Sequence, residues 1–85
     1  MKLFAVAVRD SAASSFHAPL FFPALGMAER WFRDECNSSS PEAVMARHPD
    51  DYELYVVGAY ETDDGTIEVD PPRLLMRGKD AVRKQ

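Results

Sequence analysis

The chain has 85 residues, 46% of them hydrophobic and 28% charged, which suits one small globular domain and excludes a disordered tail or a two-domain protein. No window approaches the roughly 18 consecutive apolar residues of a membrane span. The apolar run after Met1-Lys2 lacks a signal peptide's small-residue cleavage site, so an intracellular, unprocessed protein is expected. Cys36 is the single cysteine, which excludes an internal disulfide and a cysteine-clustered zinc site; it reads as a small buried hydrophobe.

A chain this short buries only about 60 to 65% of the surface its unfolded form exposes. Its core is thin, and a homodimer or higher oligomer joined through a sheet face or edge is expected. The net charge of −4 is strongly segregated. Residues 1 to 33 carry Lys2, Arg9, Arg30 and Arg33 against Asp10 and Glu29, a net +2. Residues 34 to 70 carry eleven acids against Arg47, a net −10, and the last fifteen restore +4 through Arg73, Arg77, Lys79, Arg83 and Lys84 against Asp80. Such asymmetry suits a basic end that meets nucleic acid, or one that pairs with the acidic middle of its own or a neighbouring chain.

From Lys2 to Arg9 apolar residues occupy both alternating rows, Phe4, Val6 and Val8 on one and Leu3, Ala5 and Ala7 on the other. That pattern predicts a strand covered on both faces and central in its sheet. Between Asp10 and Pro23, Pro19 and Pro23 preclude a regular helix, and an irregular segment with packed aromatics is expected. After Pro23, Leu25, Ala28, Phe32 and Cys36 recur at helical spacing, predicting an amphipathic helix of about twelve residues ended at Asn37 by a left-handed backbone. Pro41, with Ser40 as N-cap and Glu42 near the positive end of the dipole, predicts a second, shorter helix closed by His48-Pro49.

Tyr52, Leu54, Val56, Gly58 and Tyr60 alternate with Glu53, Tyr55, Val57, Ala59 and Glu61, the strongest strand pattern in the chain. Asp63-Asp64-Gly65 turns it back into Thr66 to Val69. A two-residue turn would oppose Glu61 to Glu68; a four-residue loop opposes Tyr60 to Ile67 and Gly58 to Val69, and is favoured. Pro71-Pro72 is expected to end the hairpin, and Arg73 to Gln85 to run on as an extended segment becoming flexible.

Catalysis needs a nucleophile with a positioned base, paired carboxylates or a metal cluster. His17 among prolines and aromatics, His48 before Pro49, and Asp63 and Asp64 beside a turn glycine all read as structural. No phosphate-cradling loop, zinc spacing or serine-histidine-acid arrangement is present, so neither an enzyme nor a cofactor is expected. Aromatics interleaved with basic residues are what a single-strand binder needs, since rings stack on bases while Lys and Arg neutralise phosphates. Phe16, Phe21, Phe22, Trp31, Tyr55 and Tyr60 supply the rings. Arg9, Arg30, Arg33, Arg73, Arg77, Lys79, Arg83 and Lys84 supply the cations, with Arg30 and Arg33 sharing one side of the helix. The acidic balance keeps a protein-interaction adaptor as the rival reading.

The order of the motifs adds to this reading. Met1-Lys2-Leu3-Phe4-Ala5-Val6 comes first, then Phe21-Phe22-Pro23 followed by Gly26, Ala28, Arg30 and Phe32. His48-Pro49-Asp50-Asp51-Tyr52-Glu53-Leu54-Tyr55 follows with Gly58 and Tyr60, then Asp64-Gly65 and Pro72-Arg73-Leu74. Over about residues 1 to 75 the chain resembles the small nonstructural protein of gokushovirus-type microviruses, bacteriophages with circular single-stranded DNA genomes. The resemblance implies a DNA-binding protein of the bacterial host cytoplasm. It would act when replication of the duplex intermediate gives way to synthesis and packaging of single-stranded genomes. It implies no catalytic residues. The chain departs from the family pattern at Pro23-Ala24-Leu25, where a polar cap is usual, and at Ser11-Ala12-Ala13, where a basic or polar residue is usual.

The expected architecture is therefore a small α+β domain over residues 1–75, with an antiparallel sheet of about three strands packed on one amphipathic helix plus a short second helix in β-α-α-β-β order. A flexible basic tail over 76–85 completes it. The expected function is non-specific single-stranded DNA binding, through a surface joining Arg30 and Arg33 to the Arg73 to Lys84 tail; the alternative is an adaptor engaging the viral replication initiator, a capsid precursor or a host factor.

Overall fold

The computed structural model describes residues 1–83. Its elements in order are β1 (Lys2–Asp10), β2 (Ser15–Phe16), β3 (Leu20–Phe22), α1 (Leu25–Cys36), α2 (Val44–Arg47), a 3-10 turn (Pro49–Asp51), β4 (Tyr52–Glu61), β5 (Thr66–Arg77) and α3 (Gly78–Ala81). The α+β class and the antiparallel sheet match expectation, but the described residues form five strands and three α-helices rather than about three and two. Among them no helix is long and apolar enough to cross a membrane.

β1 is central, as its two apolar rows predicted, but the helices cover only one of its faces, not both as expected: β4 pairs along one edge, and β2 and β3 share the other. The segment expected to be irregular thus supplies two short strands. Proline excludes helix there but tolerates a sheet edge, and Pro19 falls in the gap between β2 and β3 while Pro23 follows β3. His17 N–H still reaches the Val8 carbonyl at 2.8 Å, which keeps that gap close to β1.

α1 has the predicted extent and buries Ala28, Phe32 and Cys36. They join Val6, Val8, Tyr52, Leu54, Val56 and Ala81 in one core, flanked by Phe22, Leu25, Trp31, Met45, Leu75 and Met76. Asn37 ends the helix differently from expectation, at φ −113° rather than in the left-handed region. Its side chain donates to the Arg33 carbonyl at 2.7 Å and the Ala81 carbonyl at 2.9 Å, and accepts from the Arg83 N–H at 2.7 Å. Local capping is thus joined by a tie to the C-terminal segment.

α2 begins at Val44, not Pro41. The Ala43 N–H bonds the Ser40 carbonyl at 3.1 Å and the Glu42 N–H the Ser40 hydroxyl at 3.3 Å, so Ser40 to Ala43 is a separate turn. Ala43, at ψ 88°, stands outside helical geometry and divides the two. His48-Pro49 closes α2 as expected.

The β4–β5 loop is the four-residue one, Thr62 to Gly65, and it opposes Tyr60 to Ile67 and Gly58 to Val69 as predicted. Gly65 takes φ +74°, which favours glycine. Pro71-Pro72 does not end the hairpin. β5 is an edge strand, where missing N–H groups are tolerated, and the ladder slips between Val56 and Gly58 to pass the prolines before resuming at Arg73. The packed region therefore does not stop at 75. Met76 lies against the core, Ala81 belongs to it, and α3 packs on α1 and on the 3-10 turn. As far as Arg83, what reads as a basic tail closes the domain, because its apolar residues Met76 and Ala81 have core to cover.

Burial raises the Cys36 thiol from about 9 to about 11, with the Glu35 carboxylate adding to the effect. The folded chain holds that proton between those values while the unfolded chain releases it, so stability should fall as pH rises through this window. Urea midpoints at stepped alkaline pH should show the fall and should show less of it for Cys36→Ala. An unchanged alkaline profile in that variant would count against the buried thiol as its cause.

Candidate nucleic-acid interface

The helices cover only the sheet face that carries Val6, Val8, Leu54 and Val56. Opposed residues of neighbouring strands share a face, so the register defines the other one. Its rows are Leu3–Tyr60–Ile67, Gly58 opposite both Ala5 and Val69, Ala7–Tyr55–Leu74 and Arg9–Glu53–Arg77. Phe21 lies beside Ala5 and Phe16 beside Arg9 on the β3 and β2 side.

Simple alternation predicts Tyr55 and Tyr60 on opposite faces. An extra residue in β4 overturns this: Ala5 opposes Gly58 and Val6 opposes Val56, so Val57 is bulged out of the ladder. The bulge resets the alternation and returns Tyr60 to the face of Tyr55. Both tyrosines meet a phenylalanine there. Phe16 packs edge-on to Tyr55 at 5.4 Å between ring centroids and 75° between planes, and Phe21 packs edge-on to Tyr60 at 6.1 Å and 65°. Ala5, Ala7 and Gly58 between them are small, leaving the rings proud of the surface. Phe16 is 44% exposed and Phe21 46%.

One end of this face is charged. Arg9 and Arg77 stand on either side of Glu53, each 4.0 Å from one of its carboxylate oxygens. At that separation one carboxylate meets two guanidinium groups loosely, leaving an excess of positive charge. Lys79 on α3 joins this end across an open hollow of about 340 Å³ lined by Asp50, Tyr52, Glu53 and Arg77.

The other expected cations lie elsewhere. Arg30 and Arg33 are exposed on α1, in the layer on the opposite side of the sheet, and so do not join the aromatic face. Arg83 pairs with Asp34 on that helix at 3.6 Å. Arg73 is exposed on β5 opposite Val56, in a row that faces the helices. Lys84 lies outside the described residues. Of the rings, Phe22 and Trp31 pack on each other at 6.0 Å against the core and are not part of the open face. His17 stands 6.0 Å from the Tyr52 ring, His48 is exposed after α2, and Cys36 is in the core. Among the described residues no three His, Cys, Asp or Glu side chains are grouped as a metal site. Sequence reasoning missed Glu53 as the anion between two arginines; the signal was its place in the outward row of β4.

Comparison with known proteins agrees with the motif reading. Residues 1–81 match the family described as Phage ORF5 protein, and the chain belongs to that family. The family is the one the motifs resemble, the small nonstructural protein of gokushovirus-type microviruses. The chain is 30% identical over 67 residues to Protein ORF5 of Chlamydia phage 1, an alignment covering 76% of this chain and 70% of that one. No solved structure matches. The family match reaches Ala81, taking in α3 as well as the sheet.

Proposed function

We propose that this viral protein binds single-stranded DNA without sequence preference and without chemistry, as an accessory factor in phage genome replication and in the switch to single-stranded genome synthesis and packaging. The observation that carries the reading is the uncovered sheet face, with its two phenylalanine–tyrosine pairs and the arginines at one end. Ring faces accept any base, at about 1 to 3 kcal/mol each, which suits a non-specific binder. The net charge of −4 does not oppose this, because at about 0.15 M salt the screening length is roughly 8 Å and distant acids act weakly. Arg9, Arg77 and Lys79 are the phosphate contacts of this reading, and each one lost should reduce the salt slope by about 0.7.

Titration of fluorescent single-stranded and duplex oligonucleotides at two salt concentrations tests it. The parent should prefer the single strand and lose affinity as salt rises. Phe16→Ala and Phe21→Ala should each weaken binding by about 5- to 150-fold, corresponding to one lost stack. Arg30→Ala with Arg33→Ala should leave affinity near the parent's. A parent with no salt-sensitive affinity for single strands sinks the proposal.

One observation favours the adaptor reading: Ile67 and Val69, on the same face, are 66% and 86% exposed, more apolar surface than a nucleic acid requires. On that reading, Val69→Lys abolishes capture of a replication or capsid protein while oligonucleotides bind neither form.

A further inference from the structure

We infer that the outer edge of β5 is a self-complementary docking surface whose occupant is a second copy of this chain, running antiparallel about a twofold axis between Pro71 and Pro72. The inference does not rest on the nucleic-acid reading. Among the described residues β5 is the terminal strand on its side of the sheet, with no neighbour beyond it. Its charge is divided about the two prolines: Glu68 and Asp70 precede them, Arg73 and Arg77 follow. A parallel, in-register neighbour would set like charges opposite each other, which is destabilising. An antiparallel neighbour centred on the prolines sets Asp70 opposite the partner's Arg73 and Val69 opposite the partner's Leu74, and the twofold axis repeats both pairs.

The side chains suit that register. Val69 and Leu74 both lie on the open face, the condition for two residues to meet across an edge, and Leu74 is 39% exposed alongside the far more exposed Val69. Asp70 and Arg73 are exposed, and among the described residues neither has an ion-pair partner within its own chain. Pro71 and Pro72 supply no N–H at the centre, so side chains lead the contact. A twofold contact of this kind consumes the β5 edge of both copies, and the opposite edge of the sheet is only the short β2 and β3, so the assembly closes at two. The aromatic faces of the two copies then become one continuous surface.

Sedimentation or light scattering reads the outcome against the 9.6 kDa monomer. The parent should be a dimer at micromolar concentration. Asp70→Arg alone should be a folded monomer, since it sets a second guanidinium against Arg73 at both symmetry-related contacts, and Arg73→Asp alone should be one for the converse reason. Mixing the two variants should restore a dimer, because every pair across the axis is then opposite in charge. The double variant D70R/R73D should dimerise by itself. A monomeric parent, a single variant that still dimerises, or a mixture that stays monomeric overturns the inference. Circular dichroism of each variant separates loss of pairing from loss of fold.

Discussion

Phe32→Ala should lower the stability of the domain by about 3 to 5 kcal/mol, the range for a large aromatic removed from a packed core. Phe32 is fully buried on α1 between Ala28 and Cys36, one turn from each, and belongs to the cluster with Val6, Val8, Leu54 and Val56. It is the largest side chain with almost no exposure, and so fills more of the space between helix and sheet than any other. Domains hold roughly 0.05 to 0.15 kcal/mol per residue, or about 4 to 13 kcal/mol for a chain of this length. The loss is therefore a large fraction of the whole. Urea unfolding followed by circular dichroism should show the variant partly unfolded or with a far lower midpoint. Phe21→Ala, on the open face, should move the midpoint much less. Equal midpoints for parent and Phe32→Ala would mean that α1 does not pack on this face.

Gly78→Ala should also destabilise, and here two effects of opposite sign compete. Alanine is favoured over glycine in a helix by about 1 kcal/mol, which taken alone would strengthen α3. However, a Cβ on Gly78 would stand 2.1 Å from the Pro49 carbonyl oxygen and 2.9 Å from that of Tyr52. Both neighbours are backbone, fixed in the 3-10 turn and at the start of β4, so neither can rotate away. Overpacking of this kind costs about 1 to 3 kcal/mol and sometimes more, enough to outweigh the helix term. The cheapest relief is for α3 to lift, withdrawing Ala81 from the core and breaking the Asn37 hydrogen bonds to Ala81 and Arg83. Hydrogen exchange should then show lost protection at the Arg83 amide with β1 and β4 less affected. Unchanged protection and a higher midpoint would mean that propensity wins.

Where local chemistry decides an element, the sequence was a sufficient guide. The span of α1 follows from the spacing of Leu25, Ala28, Phe32 and Cys36, and the β4–β5 register follows from avoiding Glu61 opposite Glu68. What escaped depends on partners distant in sequence. Pro71-Pro72 reads as a stop because local rules do not reveal that β5 is an edge, where those residues are tolerated. The basic end reads as a tail because Asn37, more than forty residues upstream, is what anchors it. For the site the division is similar. The open face includes four of the six rings expected to stack, and Arg9, Arg77 and Lys79 gather at one end of it. Arg30 and Arg33, grouped with the tail by charge alone, lie in the helix layer because the stripe of α1 that faces the core fixes where its other residues point.

The bulge at Val57 also governs how this gene can change over evolution. Substituting Val57 should be mild, since the residue is only half-buried and opposes nothing on β1. Drawing it into the ladder is a different event. The residues of β4 would then alternate without interruption, turning Tyr60 in among the helices and Ala59 outward, opposite to the sides they now occupy, whereas deleting Val57 outright would leave both on their present sides. Within this stretch, descendants should therefore vary freely in the identity of this residue and tolerate its loss, so that the side Tyr60 takes, rather than the length of the stretch, is what selection would preserve.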